Sequence, residues 1–181
     1  MSSVFTVGHG SRSLEDFVGI LSRAGVGLLV DIRRYPGSRR HPHFARESLA
    51  ACLPQHGLGY QWWGEAMGGR RSPDEAALER HGAWENDAFR AYASFMDGPE
   101  FQEALRRLME VSENSIVAIM CAETLWWRCH RRLVADALVA RGRQVLHLGL
   151  GEPQPHALTT FCRVDSSGLL AYDGKTKATS G

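Results

Sequence analysis

Two nearly uninterrupted apolar runs constrain this chain more than any other feature: Gly27-Leu28-Leu29-Val30-Asp31-Ile32 and residues 115–121, which end on Met120-Cys121. A strand with one wet face alternates apolar and polar residues, and these runs offer no such face. They belong inside a parallel sheet covered by helices on both sides. Around them strands and helices alternate. Residues 4–7 read as a strand ending at Gly8-His9-Gly10, and Ser13 reads as the N-cap of a helix with Glu15 and Asp16 in its first turn. Leu14, Phe17, Val18 and Leu21 give that helix its apolar face, and Gly25 stops it.

A loop rich in Pro and Arg covers residues 33–45, followed by a helix over 46–55 with Gly57 as its stop and a short strand at 60–63. Residues 64–82 are glycine-rich and charged and read as a loop or mobile flap. Helices are predicted over 85–96 and 99–111, the second opened by Pro99. A helix over 129–140 stopped by Gly142, a strand over 144–148 and a hairpin around Asp165-Ser166-Ser167-Gly168 complete the chain. This pattern specifies an α/β fold: a mostly parallel, Rossmann-like sheet flanked by helices, with a C-terminal hairpin. Residues 1–173 are expected to form one domain and 174–181 a disordered tail.

The apolar runs are too short to span a bilayer, and Met1-Ser2-Ser3-Val4-Phe5 has no basic start or long apolar stretch, so a cytoplasmic protein is expected. The four cysteines, Cys52, Cys121, Cys129 and Cys162, form no disulfide framework. A formal net charge of +1 gives no global pull toward nucleic acid, but 19 of the 21 basic residues are arginines. A guanidinium grips a phosphate or carboxylate through two hydrogen bonds, which an ammonium cannot do. Codon bias explains such a ratio; it does not explain the clusters Arg33-Arg34, Arg39-Arg40, Arg70-Arg71 and Arg128 with Arg131-Arg132.

In open parallel sheets ligands bind beyond the carboxyl ends of the strands. The residues that follow the first, second and fourth strands here are His9 to Arg12, Asp31 to Arg33, and Cys121-Ala122-Glu123, and they should converge. Cys121 precedes a loop that feeds a helix start at Cys129-His130-Arg131-Arg132, where free N–H groups and arginines favour anions and thiolates. Glu123 acts in the opposite sense on a nearby thiol. The bland alternative is a cysteine that only packs, with Glu123 paired to an arginine. Cys129 shares a helix face with Leu133 and is either core or site; His130 is either a proton carrier or a capped core group. His9 and Arg12 flank a helix start where an anion could sit, and Asp31 with Arg33 is either a buried ion pair or a working carboxylate. Arg39, Arg40, His41, His43 and Phe44 share one loop, which could track a phosphate backbone with Phe44 stacking on a base, unless Phe44 anchors the loop in the core. The spacing of Cys121, Cys129 and His130 matches no tight zinc pattern, so neither metal nor cofactor is expected.

Taken together these stretches resemble the family called domain of unknown function 488. The resemblance is carried by Thr6-Val7-Gly8-His9 with Arg12-Ser13-Leu14, by Leu29 to Arg33 with Pro36 and Ser38-Arg39-Arg40, and by Phe44 and Gly68-Gly69-Arg70. It continues through Tyr92, Met96 and Phe101 to Cys121-Ala122-Glu123 and Cys129-His130-Arg131, spanning residues 4–150. One departure is His9-Gly10-Ser11, where the family pattern is expected to read His-Ser. A looser outline is similar to rhodanese-like domains, with Cys121 in the place of the persulfide cysteine, although the loop after it is longer than the rhodanese cradle and contains Glu123.

The sequence thus leads to an enzyme acting on a nucleotide or nucleic acid. Arg12, Arg33, Arg39, Arg71 and Arg131 would hold phosphates, Glu123 or Asp31 would serve as the acid–base carboxylate assisted by His9 or His130, and Phe44, Tyr92 or Trp126 would line a base pocket. Cleavage by hydrolysis, including glycosidic-bond cleavage, suits a carboxylate among arginines, with covalent attack by Cys121 as a variant. A sulfurtransferase using Cys121 and a non-catalytic nucleic-acid-binding module are the alternatives.

Overall fold

The computed structural model describes residues 2–175; residues 176–181 of the predicted tail lie outside the described residues. Six strands form the main sheet: β1 (Ser3–Gly8), β2 (Leu28–Asp31), β3 (Gly59–Trp62), β4 (Val117–Cys121), β5 (Gln144–His147) and β6 (Gln154–Pro155). Their spatial order is β3-β2-β4-β1-β5-β6, parallel throughout except for β6, which runs against β5. Two residue pairs, β7 (Arg163–Val164) and β8 (Leu170–Ala171), make the C-terminal hairpin. The mostly parallel α/β architecture read from the sequence is the observed one.

Alternate residues of each strand serve opposite layers. Val30, Ile32, Val117 and Ile119 pack with Tyr92, Phe101, Leu105 and Leu133 on one face, from α5 (Asp87–Met96), α6 (Pro99–Asn114) and α7 (Arg131–Ala140). Val7, Leu29, Ala118 and Met120 pack with Phe17, Leu21 and Leu49 on the other, from α1 (Leu14–Arg23) and α2 (Arg46–Cys52). The runs without polar alternation therefore lie between two helical layers, as their composition requires.

Local signals hold at most element ends. The Ser13 hydroxyl accepts the Asp16 amide at 3.1 Å, Asn86 caps α5 through Phe89, and Pro99 opens α6. Three details differ. Residues 64–82 are not all loop: they contain one-turn helices α3 (Gly64–Met67) and α4 (Glu75–Leu78). The helix expected from 129 begins at Arg131, because a 3-10 turn at Trp126–Arg128 intervenes and Cys129 is extended. Strand β6 carries no apolar pattern, since both its residues are exposed, and its pairing with β5 is set by tertiary context.

β4 lies between β1 and β2, yet its connection leaves through α7 on one face while theirs leave through α1 and α2 on the other. Diverging connections open a crevice at the carboxyl ends of these strands. In register, Gly8 pairs with Cys121 and Asp31 with Met120, so His9, Arg33 and Glu123 emerge at one edge.

Candidate active site

The loops after β1 and β4 run side by side, with the His9 amide donating to the Cys121 carbonyl (3.0 Å) and Gly10 to Ala122 (2.9 Å). Gly8 is required here, because a Cβ at that position would lie 1.9 Å from the Glu123 carbonyl oxygen. The Glu123 carbonyl also accepts the Arg131 guanidinium at 2.6 Å, and a carboxylate oxygen of Glu123 accepts the Leu125 amide at 3.0 Å. The loop is thus tied down at both ends, with the rest of the exposed Glu123 carboxylate facing solvent.

Beneath this edge is a sealed polar layer. Asp31, fully buried, accepts from the Arg33 backbone N–H (3.0 Å), Nε (2.9 Å) and Nη2 (2.7 Å), and from the Tyr60 hydroxyl (2.6 Å). Burial and the neighbouring Asp31 carboxylate push the Tyr60 hydroxyl up, so it remains a donor. Arg33 also donates to the Phe44 carbonyl (2.8 Å) and to His9 Nε2 (3.2 Å). Burial lowers His9 to about 4, and its Nδ1 is left to donate to the Gly10 carbonyl at 2.8 Å. Neutral His9 then stacks on Phe44, ring centres 4.4 Å apart.

Above the layer is an open cavity of about 420 Å³. Its floor holds Cys121, Cys129 and His130, with Tyr92 alongside; its rim carries Arg34, Tyr35, Arg70, Phe89 and Arg128, with Glu123 at the mouth. The two sulfurs are 2.6 Å apart. Burial and the shared hydrogen bond push the Cys121 thiol up. Burial opposes ionisation of Cys129 too, but the hydrogen bond from Cys121, the adjacent His130 and the Arg131 charge outweigh it and hold the Cys129 thiol well below its ordinary value. The Arg131 amide at the start of α7 points at the Cys129 sulfur, 3.5 Å away. His130 Nε2 lies 3.2 Å from the Ile32 carbonyl, which can only accept, so Nε2 carries the hydrogen. Nδ1 then faces the Cys129 sulfur at 3.6 Å, accepting from the thiol or, when protonated, donating to the thiolate.

Of the sequence-predicted residues, those at the ends of β1, β2 and β4 meet at one edge and divide into two layers, while Arg12, Arg39, Arg71 and Trp126 lie outside the cavity. Cys121, Glu123, Cys129, His130, Arg33 and Tyr92 line the cavity, although Tyr92 is buried, with its hydroxyl bound to the Met67 carbonyl at 2.6 Å. Asp31, His9 and Phe44 form the layer beneath: every oxygen of Asp31 is bound, His9 is neutral, and Phe44 anchors its loop in the core and stacks on no base. Arg131 is 1% exposed and braces the carbonyls of Glu123 and Thr124, a structural use of its charge. Arg12 donates to the Gly149 carbonyl (2.7 Å) beside a separate depression, and Arg71 binds the Gly68 carbonyl and packs on Phe95. Arg39 is exposed outside the cavity, and Trp126 stacks on His147 at 4.1 Å.

Of the rim residues, Arg34, Arg70 and Arg128 stood out in the sequence as members of arginine clusters but not as site residues, and Tyr35 and Phe89 not at all. The arginine pairs were the available signal. In Arg33-Arg34 and Arg70-Arg71 one member is held by several protein acceptors, Asp31 and carbonyls, while the other lies on the cavity rim with at most one carbonyl bound. Also unforeseen is a buried chain from Thr6 to His147 (2.7 Å), His147 to His156 (2.9 Å) and His156 to Asp136 (2.8 Å), closed by the Tyr172 hydroxyl on Asp136 (2.8 Å). An aspartate on the otherwise apolar face of α7 was its trace in the sequence. Among the described residues no group of three His, Cys, Asp or Glu side chains could hold a metal ion, and no helix is long and apolar enough to cross a membrane.

A family model described as Domain of unknown function DUF488 matches residues 13–138, more than two thirds of the 181-residue chain. The chain belongs to that family. The matched span of this DUF488 member contains every residue named above for the cavity floor and rim. No curated protein and no solved structure matches the chain, and the outline similarity to rhodanese-like domains is not shown by these comparisons.

Proposed function

We propose that this DUF488 protein is an enzyme acting on a phosphate-bearing nucleotide or nucleic-acid substrate bound over Cys121, Cys129 and His130. The observation that supports this most directly is the rim. Arg34, Arg70 and Arg128 border the cavity, and none of them pairs with a carboxylate among the described residues. Guanidiniums without a carboxylate partner at the mouth of a partly apolar cavity attract an anion, and the planar donors left over after Arg34 binds the Arg70 carbonyl suit phosphate oxygens. Tyr35, 62% exposed with Arg34 and Arg70 over its ring, and the half-buried Phe89 add aromatic surface for a base at this rim.

The floor suggests the chemistry. An ionised sulfur beside a histidine is an activated nucleophile. Cys129 attacks the substrate's electrophilic centre, His130 Nδ1 carries the proton to the leaving group, and Glu123 at the mouth activates the water that releases the product. This gives a hydrolytic reaction, on a glycosidic or phosphate-ester bond, with Cys129 in the nucleophilic role expected of Cys121. The sulfurtransferase alternative is weakened because burial and the contact with the Cys129 sulfur disfavour a thiolate at Cys121. The binding-module alternative is weakened in the 38–43 loop, where His43 binds the Arg12 carbonyl and His41 packs on His9, leaving Arg39 and Arg40 as its exposed cations.

The test is binding and turnover of nucleotides and short single-stranded DNA and RNA. Arg34→Ala with Arg70→Ala should weaken binding by about a hundredfold and reduce its salt dependence (two phosphate contacts at about 1.5 kcal/mol each). Cys129→Ser and Glu123→Gln should abolish turnover while binding survives. Absence of binding at low salt in the wild type defeats the proposal; binding without turnover of any substrate leaves the non-catalytic module.

A further inference from the structure

Four cysteines are present, and two are placed unlike the others. Cys121 sits at the end of β4, inside the sheet, and Cys129 is held between a 3-10 turn and the first turn of α7. Eight positions apart in sequence, their sulfurs lie 2.6 Å apart and both line the open cavity. A disulfide bond is about 2.05 Å long, so joining them needs a shift of about half an ångström and no change in the fold. Cys52 and Cys162 are half-buried and line none of the cavities described above.

We propose that Cys129 and Cys121 form a reversible peroxide-sensitive pair, with Cys129 as the sulfur that is oxidised and Cys121 as the sulfur that resolves it. The reactant class is a hydroperoxide, small enough to enter a cavity of about 420 Å³. The Cys129 thiolate attacks the terminal oxygen of the hydroperoxide. The O–O bond breaks, an S–O bond forms, and the departing alkoxide takes a proton from solvent to become an alcohol. The product at Cys129 is a sulfenic acid. The Cys121 sulfur then attacks the Cys129 sulfur, forming the S–S bond as the S–O bond breaks, and the released hydroxide takes the Cys121 proton as water. Two thiols lose two electrons and the peroxide gains them, giving disulfide, alcohol and water.

The surroundings support this assignment of roles. The Arg131 N–H points at the Cys129 sulfur and His130 Nδ1 faces it, whereas the contacts of Cys121 are the Cys129 sulfur and the Glu123 carbonyl, an acceptor that favours the protonated thiol. Burial, together with the Asp136 charge, pushes Cys162 up to about 12, which keeps that thiol unreactive. The pair is a modification site independent of what the arginine rim binds. If Cys129 is also the nucleophile of the reaction proposed above, the disulfide would shut that reaction off until a dithiol reductant restores it.

The experiment is treatment of the full-length protein with about one equivalent of hydrogen peroxide, then alkylation and peptide mass mapping. The expected product is a Cys121–Cys129 cross-link that disappears with a dithiol reductant, while Cys52 and Cys162 remain alkylatable. In Cys121→Ser the oxidised Cys129 should persist as a sulfenic acid trapped by dimedone. In Cys129→Ser, oxidation of Cys121 should be about tenfold slower or more, as expected for a thiol that is not ionised. The proposal is overturned if wild-type protein with both sulfurs alkylatable forms no cross-link, or if Cys52 or Cys162 oxidises first. Because the wild-type result decides by itself, failure of a variant to fold does not protect the idea. Loss of nucleotide binding with the cross-link intact would count against the proposed function and not against this pair.

Discussion

Replacing Asp31 by Asn tests whether the polar layer under the cavity is structural or chemical. The two side chains have nearly the same shape, so the change removes charge and one acceptor without opening a cavity. Oδ2 of Asp31 accepts Arg33 Nη2 at 2.7 Å and the Tyr60 hydroxyl at 2.6 Å, and Oδ1 accepts the Arg33 amide and Nε. If the amide nitrogen takes the Oδ2 position, two donors face a third. Hydrogen bonds to a charged group contribute about 1.5–3 kcal/mol each, which sets the loss at about 3–6 kcal/mol. Tyr60 can recover part of it by rotating to accept from the new NH2, and Arg33 Nη2 keeps the Phe44 carbonyl. An estimate of about 3 kcal/mol results, at the lower end of what breaking a buried ion pair costs. For a chain of this length that corresponds to a melting-temperature drop of about 6–12 °C. Urea unfolding with a common slope gives the free energy directly. The double variant Asp31→Leu/Arg33→Met should be more stable than Asp31→Leu alone, because no guanidinium is left stranded. A loss below about 1 kcal/mol for Asp31→Asn would refute the structural reading. A stable Asp31→Asn protein without turnover would return Asp31 to the chemistry.

Three further outcomes can be stated. Burial depresses His9 to about 4 and His147 to about 3, against an unfolded value near 6.5. The unfolded chain binds more protons than the folded one between these values, so stability is full above pH 6.5 and falls as pH drops through 4 toward 3. Urea midpoints at pH 7.5, 5.5 and 4 should decrease in that order, and a flat profile would show that both rings charge in place. Tyr172→Phe removes the hydroxyl from the buried Asp136 oxygen and should cost about 1–3 kcal/mol by urea unfolding; an unchanged midpoint would show that Asp136 is satisfied without it. Gly8→Ala drives a methyl into the Glu123 carbonyl and should cost about 1–3 kcal/mol or more while displacing Glu123; normal stability would mean that the β1 and β4 loops are further apart than described.

The fold was legible because burial leaves a periodic trace. Leu29, Val30, Ala118 and Ile119 are apolar on both faces because both faces are covered, and Phe17, Val18 and Leu21 repeat at helical spacing because one face is. β6 was not legible, since two exposed residues paired at the sheet's edge carry no periodicity. Neither was the start of α7. Cys129 and His130 look helical in sequence, but the 3-10 turn before them leaves Cys129 extended, with its sulfur at the helix entrance. That shift puts the Arg131 amide and the His130 ring against the Cys129 sulfur, so the surroundings that lower a thiol act on Cys129 rather than on Cys121, where the sequence pointed.

The side chains at the site were legible as a set but not in their individual roles, and the reason is the chemistry of arginine. A guanidinium has five N–H donors, and any buried portion of it must be satisfied by carbonyls or carboxylates. Sequence shows the cation, not the number of protein acceptors within its reach. Arg33 reaches Asp31 and the Phe44 carbonyl, and Arg131 reaches the carbonyls of Glu123 and Thr124, so both charges are used in building the edge. Arg34 reaches one carbonyl, that of Arg70, and Arg70 itself has a left-handed backbone (φ 58°), which a residue other than glycine adopts only at a cost. Strain of this kind persists where surrounding contacts impose it, and here it lies at the cavity rim after Gly68-Gly69. Gly69 allows that approach, as a Cβ there would stand 3.2 Å from His130 Nδ1. The family pattern Gly68-Gly69-Arg70 thus has a physical content: Gly68 lets the rim backbone pack on the Gly64 carbonyl and Arg34, Gly69 lets it close over His130, and Arg70 places a cation on the cavity rim.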